Sequence, residues 1–380
     1  MNFELNEDQQ MVRDMVRQFA EEQVRPGTAK RDEEGEFVSD LLPGLSELGL
    51  LGILTPEEYG GSGFDNVSYA VVIEELARVC PSTAVTVSVT NSVCQDPILL
   101  FGSEEQKKRF LPPLAGGERI GGFGLTEPGA GSDAAAVRMR AVRDGDGYVL
   151  NGTKAWITNV LEGTTFVTIA ATDPEKGHRG LSAFVLSSDL PGFSFADPEK
   201  KMGLKASLTG MFTLEDCRVP ADRLLGEEGM GLKVALTTLD ASRIGIGAQS
   251  VGIAQGAFEE AVRYAQERET FGKPLYAHGA VQDMLAESAT RIEAARLLVY
   301  RAAHARDEGD PDLGRYSSQC KLYASESAQY VCDRAVQIHG AYGFSREYPV
   351  ERFYRDARAT TIYEGTSEIQ RIVIARSLLQ

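Results

Sequence analysis

The feature that most constrains the fold is a block of strand-like sequence enclosed by two helical regions. Between residues 121 and 225, apolar residues alternate with polar ones, as at Val137, Met139 and Ala141, and turn-forming sequences such as DGDG separate the runs. Before and after this block, apolar residues recur at helical spacing. Helices, then strands, then helices are typical of the α+β class.

This order predicts three domains. They are an N-terminal helical domain over residues 1–120, a middle antiparallel β domain over 121–227 and a C-terminal four-helix bundle over 228–380. Asn6, with Gln9 three residues later, matches a capping box for the first helix. A second apolar helix pattern begins at Asn66.

Three glycines lie inside a helical pattern of the C-terminal domain, at Gly245, Gly252 and Gly256. Each costs about 1 kcal/mol relative to alanine in a helix, so their presence needs a reason. Close helix packing and the approach of the backbone to a bound cofactor are the two explanations.

Charge and cysteine content disfavour several classes of function. Lys and Arg number 39 and Asp and Glu 55, so the net charge is −16 and the chain has no broad attraction to nucleic acid or anionic membranes. The five cysteines form no CxxC pair and the four histidines are scattered, which argues against a disulfide framework and a metal site. The sequence shows neither a targeting pattern nor a bilayer-spanning apolar run. We expect a cytoplasmic protein with no metal, nucleic-acid or membrane partner.

A Gly-rich motif, FGLTEPGAGSD, begins at Phe123. Gly129, Gly131 and Ala134 fit the dinucleotide-binding pattern, but that pattern requires a following helix, and here a strand pattern follows. What remains is a glycine-rich loop with free N–H groups, suited to a planar or anionic ligand. An ordinary β-turn is the alternative.

The sequence KAWITN contains Trp156, the single tryptophan of the chain. A lone tryptophan is more often part of a core than a platform for a ligand. Thr158 lies two residues further along, on the same face of a strand, and an aromatic face beside a hydroxyl would suit a flat heterocycle. The residues alone leave both interpretations open.

Two further motifs stand at predicted helix ends. Arg268 begins RETFGKP, where an arginine commonly complements the helix dipole. Gln337 begins QIHGAYG, where Gly340 is suited to end a helix. In both places a ligand site is the alternative to simple helix termination.

The last motif is TIYEGTSEIQR, in which Ser367 and Gln370 predict a capping box for the final helix. The N–H groups of that helix start could bind an anion or a ribose-bearing ligand. Glu364 precedes it, beside Gly365. It is either a solvated loop residue or a carboxylate held in an apolar cleft, where burial would raise its pKa and make it a usable base near neutral pH.

In this order and spacing, the five motifs resemble those of the acyl-CoA dehydrogenase family, most closely its short-chain (butyryl-CoA) branch. The similarity extends from about Leu5 to Leu379, with GLTEPGAGSD, KAWITN, RETFGKPL and IYEGTSEIQR as its most specific parts. The resemblance implies a FAD-dependent enzyme that dehydrogenates acyl-CoA thioesters to trans-2-enoyl-CoA. It also implies a homo-oligomer, a dimer of dimers, that passes electrons to electron-transferring flavoprotein.

The resemblance assigns candidate site residues as well. Glu364 matches the catalytic base that takes the α-proton, while the β-hydride passes to flavin N5. The positions that match substrate contacts are Ser132, Asp240, Arg243 and Gly365. The positions that match FAD contacts are Phe123, Leu125, Thr126, Gly131, Ser132, Trp156, Ile157, Thr158, Arg268, Phe271, Gln337, Gly340, Ala341, Thr366 and Glu368. In the family, the contacts matched by residues 268 to 341 reach FAD across a dimer interface.

The chain departs from the family pattern in places. Gly279 replaces a glutamine that contacts FAD in the family, and whether Gln282, nearly one helical turn further on, substitutes for it is open. Ala341 stands where the family has a second glycine. In another branch the base directly precedes the arginine matched by Arg243, but here that residue is Ser242, which cannot be a carboxylate base.

The position of the base favours straight acyl groups of short to medium length. The alternatives are a branched short-chain acyl-CoA dehydrogenase, an acyl-CoA oxidase that uses oxygen, and a non-catalytic protein of the same fold. Oxidases of this type are usually longer than 380 residues, and a non-catalytic protein would be expected to lack Glu364.

Overall fold

The computed structural model describes residues 4–379 and confirms the α+β class, with helical, β and helical regions in the predicted order. The helices of the first region are α1 (Glu7–Phe19), α2 (Thr28–Glu34), α3 (Leu42–Glu47), α4 (Asn66–Ala77), α5 (Pro81–Val89), α6 (Asp96–Phe101) and α7 (Glu104–Ala115). α1 begins at the predicted capping box, in which Gln9 N donates to Asn6 Oδ1 at 2.8 Å and Asn6 N donates to Gln9 Oε1 at 3.0 Å. α4 begins at Asn66, as predicted.

The middle region contributes one eight-stranded sheet. Its strands are β1 (Gly121–Gly124), β2 (Arg140–Asp144), β3 (Gly147–Thr158), β4 (Thr165–Ala171), β5 (Leu181–Ser187), β6 (Phe193–Phe195), β7 (Thr209–Pro220) and β8 (Leu224–Leu225). The strand order is β6-β7-β3-β2-β4-β5-β8, with β1 also paired to β4.

The prediction of an antiparallel domain needs correction at β1. Most strand pairs are antiparallel, but β1 runs parallel to β4, with Phe123 opposite Val167, and β2 also meets β4 in parallel at Arg140 and Ala171. Glycines allow β1 to enter so crowded a position: an added Cβ would lie 2.5 Å from the Cβ of Cys94 at Gly121 and 2.6 Å from a phenylalanine ring at Gly122.

β2 begins later than the alternating pattern predicts. Val137 and Met139 are buried but precede the strand, which starts at Arg140. The carboxylate of Glu127 accepts hydrogen bonds from Arg138 N at 2.7 Å and Met139 N at 2.9 Å. These amides are bound by a distant side chain, which strand alternation cannot reveal.

The C-terminal region consists of three long helices and two shorter ones, one helix more in the described residues than predicted. They are α8 (Gly231–Glu267), α9 (Gly279–Asp307), α10 (Leu313–His339), α11 (Val350–Thr360) and α12 (Ser367–Leu379). A small hairpin of β9 (Glu269–Thr270) and β10 (Lys273–Pro274) connects α8 to α9.

Gly245, Gly252 and Gly256 of α8 lie where it packs closely against α4. Added Cβ atoms at Gly252 and Gly256 would lie 2.2 and 2.3 Å from the backbone oxygens of Glu74 and Arg78. One at Gly245 would lie 2.3 Å from a tyrosine hydroxyl of α4. Of the two explanations offered by the sequence, close helix packing therefore accounts for these glycines.

One large apolar cluster joins the N-terminal helices to α8, α9 and α10, and a second lies between α6, α7, the start of α8 and the sheet. The second cluster thus fixes the sheet against α6, α7 and the start of α8. Across residues 4–379, no helix combines the length and the apolar character needed to cross a bilayer.

Candidate active site

The turn between α11 and α12 has a strained backbone. Glu364 has a φ of 52° and Gly365 a φ of 90°, in a region that costs a non-glycine residue about 1–2 kcal/mol. Gln370 Nε2 donates to Glu364 O at 3.1 Å and to Gly365 O at 2.9 Å. Lys321 Nζ, from α10, donates to Gly365 O at 2.7 Å. Side chains from two helices thus hold the turn in place.

These contacts correct the predicted capping box. The buried hydroxyl of Ser367 has no hydrogen-bond partner among the described residues. Thr366 Oγ1 instead accepts from Ile369 N at 3.4 Å, and Gln370 directs its amide to the turn. Thr366 therefore takes the capping position at the start of α12.

The Glu364 carboxyl lies beside α8, where Ser242 Oγ donates to its Oε2 at 2.6 Å. Removal from water raises the pKa of this carboxyl above its ordinary value of 4.5. The hydrogen bond from Ser242 and the positive charges of Lys321 and Arg243 oppose that rise. A carboxylate that is less well solvated than usual is a stronger base.

A small apolar cluster brings the sheet to this turn. Val85, Val89 and Val93 are buried, and Phe123 of β1 and Tyr363 pack against them. The hydroxyl of Tyr363 also donates to the side-chain oxygen of Gln249 on α8. The strand that leads into the Gly-rich loop and the residue before Glu364 therefore pack against the same apolar cluster.

A buried ion pair joins that loop to β3. Lys154 Nζ donates to Glu127 Oε1 at 2.8 Å and to Leu125 O at 3.0 Å, and Ala155 N donates to Thr126 O at 2.9 Å. The Lys154 side chain is fully buried, and desolvation lowers its pKa to about 8 despite the attraction of Glu127. The lysine remains protonated at neutral pH and fixes one motif against the other.

Next to this pair, β3 presents Trp156 to solvent. The residue is 61% exposed and has a φ of 59°, where β3 is bulged between Lys154 and Ile157. Ile157 is buried and Thr158 is half-buried. A strained backbone that holds an indole out of the core is typical of a ligand platform, so of the two interpretations of Trp156 the structure favours this one.

The Gly-rich loop leaves open space for a ligand. An added Cβ at Gly129 or Gly131 would meet no atom within 4 Å, unlike the glycines of β1. Leu125 is buried, Thr126 is half-buried, and Ser132 is exposed. The loop is joined to the strand of Trp156 by the hydrogen bond from Ala155 N to Thr126 O, so its open backbone and the exposed indole lie in neighbouring segments.

The two charged residues predicted to bind substrate interact with each other. One terminal nitrogen of Arg243, Nη1, donates to Asp240 Oδ1 at 2.6 Å and to Ser318 Oγ at 3.3 Å. The buried Nε of Arg243 has no hydrogen-bond partner in residues 4–379. Burial raises the pKa of the Asp240 carboxyl. The guanidinium lies close enough to oppose the rise in the pKa of Glu364.

A second group of predicted site residues lies elsewhere in the chain. Stacking of Tyr264 on His339, with centroids 4.2 Å apart, sets the end of α8 beside the end of α10. The exposed residues at these ends include five predicted FAD contacts: Arg268, Phe271, Gln337, Gly340 and Ala341. From Lys321 to the end of α10 at His339 the helix rises ~27 Å at 1.5 Å per residue. One chain alone therefore does not bring this group to Glu364, whereas Thr366 and the exposed Glu368 are adjacent to it.

Models of three domains match the chain in sequence. They are the N-terminal domain of acyl-CoA dehydrogenase at residues 6–118, its middle domain at 122–217 and its C-terminal domain at 229–379. The chain belongs to the acyl-CoA dehydrogenase family. The resemblance inferred from the five motifs is thereby confirmed.

Relatives are similar to the chain over nine tenths or more of their length. The short-chain specific acyl-CoA dehydrogenase of rat mitochondria is 47% identical over 99% of this chain and 91% of that protein. The structure of butyryl-CoA dehydrogenase from Megasphaera elsdenii has a TM-score of 0.98 at 43% identity and covers 100% of both chains. A chain in the structure described as "Electron transferring flavoprotein of Acidaminococcus fermentans: Towards a mechanism of flavin-based electron bifurcation" has a TM-score of 0.99 at 48% identity, also over 100% of both chains.

Sequence reasoning missed several polar residues of this acyl-CoA dehydrogenase that organise the site. Lys154 and Glu127 lie inside recognised motifs, so an opposite-charge pair could have been suspected there. Lys321 had no such signal, because it lies next to an apolar stripe of α10 where a lysine is usually at the solvent edge. Gln370 was noticed, but its partner was assigned wrongly.

Proposed function

We propose that this chain is a FAD-dependent enzyme that converts short-chain acyl-CoA thioesters to trans-2-enoyl-CoA. Family membership over nearly the whole chain supports the activity, as do relatives named for short-chain and butyryl-CoA substrates. The observation that carries the proposal is the Glu364 carboxyl. It lies at a strained turn, beside an apolar cluster, with the Ser242 hydroxyl as its hydrogen-bond donor.

Glu364 is the proposed base for the proton on the carbon next to the thioester carbonyl. Its raised pKa makes the ionised form a stronger base than an exposed glutamate. The hydroxyl of Ser242 binds Oε2, so Oε1 is the atom proposed to accept the proton. The bonds from Lys321 and Gln370 to the backbone of the turn limit its movement during the transfer.

FAD is the cofactor, and its flavin, when bound, accepts the β-hydride. The open Gly-rich loop and the exposed Trp156 support a flavin platform. The residues proposed to hold FAD are those assigned by the motifs: Phe123, Leu125, Thr126, Gly131, Ser132, Trp156, Ile157, Thr158, Arg268, Phe271, Gln337, Gly340, Ala341, Thr366 and Glu368. Those proposed to contact the acyl-CoA are Ser132, Asp240, Arg243 and Gly365.

Straight short acyl groups are the proposed substrates within this class. Relatives named for short-chain and butyryl-CoA substrates support this choice. Turnover of butyryl-, hexanoyl-, octanoyl- and isobutyryl-CoA with an artificial electron acceptor tests this. Butyryl-CoA should give the highest kcat/KM, and a preference for isobutyryl-CoA would favour the branched-chain alternative.

Electron-transferring flavoprotein is the proposed acceptor, supported by the family and by one relative's description. Steady production of hydrogen peroxide in air would instead indicate an oxidase. The five cysteines are all buried and unpaired within residues 4–379, which supports a reducing compartment such as the cytoplasm.

A dimer of dimers is the proposed assembly. Phe271 is 97% exposed and Phe344 is 91% exposed, and both lie near the predicted FAD contacts at the ends of α8 and α10. Two bare aromatic rings at one surface are typical of a protein–protein contact. A second copy of the chain would bury them and bring Arg268 to the cofactor of its partner.

The test of the proposed function is Glu364→Gln. The substitution removes the base but preserves shape and the hydrogen bond from Ser242, so FAD and acyl-CoA should still bind. Flavin bleaching by butyryl-CoA, followed by anaerobic stopped flow, should slow by about 10²–10⁴-fold or more.

The matched control is Glu326→Gln, the same change on the exposed face of α10, where the carboxylate pairs with Arg371. It should bleach at the native rate. Bleaching of Glu364→Gln at a rate near that of the control would show that the base lies elsewhere.

A further inference from the structure

Lys321 is a lysine with a fully buried side chain next to the proposed base. Its side chain enters from α10 and its Nζ donates to Gly365 O at 2.7 Å. Burying an ammonium group is costly, and desolvation lowers the pKa of Lys321 to about 8. The group is therefore still mostly charged at neutral pH.

The hydrogen bond alone does not explain a charge at this position. Gly365 O already accepts from Gln370 Nε2 at 2.9 Å, and a neutral amide in place of Lys321 could supply a second donor. Within residues 4–379, Lys321 makes no direct ion pair that would balance its burial. What distinguishes the ammonium from a neutral donor is its electrostatic effect on nearby groups.

Glu364 is the leading electrostatic partner. Its negative charge is the strongest influence that raises the pKa of Lys321 against desolvation, and in return Lys321 opposes the rise in the pKa of Glu364. The other titratable or charged groups that act on this pair come from α4, α8, α10, α12 and the turn itself: Tyr69, Arg243, Cys320, Tyr363 and Glu368. Asp240 of α8 acts on Arg243, and Asp356 of α11 acts on Tyr363. Arg243 is already paired with Asp240, which leaves Lys321 as the nearby cation without a carboxylate of its own.

We propose that Lys321 is a positioning residue for the Glu364 base, with two separable effects. Its N–H holds the Glu364–Gly365 turn through the Gly365 carbonyl oxygen, and its charge keeps the adjacent carboxyl ionised in surroundings that favour the neutral acid. The inference rests on the proposed function, because it concerns the proton-accepting state of Glu364.

Two substitutions separate these effects. Lys321→Gln keeps a donor but removes the charge, and Lys321→Met removes both while keeping an unbranched chain. An opposite charge at 4–6 Å typically lowers a carboxyl pKa by about 1–3 units, and no ion pair of shorter range joins these side chains among the described residues. Both variants should therefore shift the pH midpoint of flavin bleaching by butyryl-CoA upward by about one unit.

The shape of the pH profile distinguishes charge from general damage. Below the native midpoint, bleaching by Lys321→Gln should be about 10-fold slower than native, and at alkaline pH it should approach the native rate. Lys321→Met should show the same shift and a lower rate at every pH. A uniform rate loss with an unchanged midpoint in both variants would overturn the proposal and leave Lys321 as a structural residue.

Lys201→Gln is the control, because Lys201 is a half-buried lysine that also donates to a backbone oxygen, that of Ser207, at 2.9 Å. It should leave the midpoint unchanged. A readout independent of turnover is the infrared band of the protonated Glu364 carboxyl, assigned by difference from Glu364→Gln. This band should persist to higher pH in both Lys321 variants, and its disappearance at the native pH would also overturn the proposal.

Failure of this inference is distinguishable from failure of the proposed function. If Glu364→Gln abolishes bleaching while the Lys321 variants keep the native midpoint, the function stands and only the role of Lys321 is wrong. If Glu364→Gln bleaches normally, the function itself fails.

Discussion

Two regions of the molecule carry the predicted site residues, and they differ in how far one chain completes them. The inner region comprises the Glu364–Gly365 turn, the side chains that contact it, and the ion pair between Glu127 and Lys154. The outer region comprises Arg268, Phe271, Gln337, Gly340, Ala341 and Phe344 at the ends of α8 and α10. The inner region is held by hydrogen bonds that are buried or partly buried, whereas the outer region exposes its residues.

The two regions differ in how many of their contacts are supplied by one chain. Every contact that holds the proposed base comes from the same chain, so base geometry is set by folding. The outer region has exposed aromatic rings, and an added Cβ at Gly272 or Gly340 would meet no atom within 4 Å. In the proposed assembly, cofactor affinity would depend on a second copy of the chain, whereas the position of the base is set by contacts within one chain.

The largest effect expected from this comparison follows from Lys154→Met in the inner region. The substitution leaves the buried Glu127 carboxylate without its cation, and breaking such a pair typically costs about 3–5 kcal/mol. It should also loosen the loop after β1 and weaken FAD binding. Urea unfolding of the holoenzyme and titration of the apoprotein with FAD measure the two losses.

The same substitution in the outer region is the control. Lys273 lies in the exposed β10 and donates to Ala277 O at 2.8 Å, so Lys273→Met should change stability little. The double variant Lys154→Met with Glu127→Gln should recover much of the lost stability, because no unpaired charge then remains buried. Equal losses at Lys154 and Lys273 would remove the distinction between the regions.

The sequence predicts those parts of the fold that depend on neighbouring residues. The capping box at Asn6 and the start of α4 at Asn66 are local, and both are confirmed. The order of helices and strands follows from periodicity, and the family follows from contiguous motifs. Glu364 was identified as a candidate in the same way.

The features of the fold and site that the sequence does not predict depend on contacts between segments far apart in the chain. The parallel pairing of β1 with β4 and the late start of β2 arise from groups more than ten positions away along the chain. Lys321 contacts a carbonyl oxygen 44 positions away, so no local pattern marks it as buried. Polar residues that hold a site in place from outside a recognised motif are harder to predict than residues that belong to one.

A smaller effect is expected from Phe271→Ser in the outer region. Burial of a phenylalanine side chain contributes about 1.5–3 kcal/mol, so each copy of the chain would lose that much of the proposed contact. The isolated fold should be unaffected, because Phe271 is 97% exposed. Sedimentation at decreasing protein concentration should show earlier dissociation, with loss of FAD from the dissociated species.

Leu100→Ser, which changes a 52% exposed residue of α6, serves as the matched control and should leave assembly unchanged. If Phe271→Ser retains the native assembly and its full FAD content, Phe271 is not part of a contact between copies of the chain. The proposed role of the outer region in assembly and FAD binding would then be wrong.

The smallest effect concerns the stability cost of the base itself, measured on Glu364→Gln. The pKa of Glu364 is raised in the folded protein above the ordinary value of 4.5, so between these two values the folded state binds more protons than the unfolded state. Stability therefore falls as pH rises through that window, and the free-energy cost of holding Glu364 ionised in the folded state is fully present above it.

Glutamine at position 364 does not ionise and keeps the hydrogen bond from Ser242. The variant should match the native protein below pH 4.5 and exceed its stability at neutral pH. Denaturant midpoints of the two proteins, compared at several pH values, measure this difference directly. If the variant is instead less stable at neutral pH, the inner region favours the carboxylate, and the raised pKa that makes Glu364 a strong base would have to be abandoned.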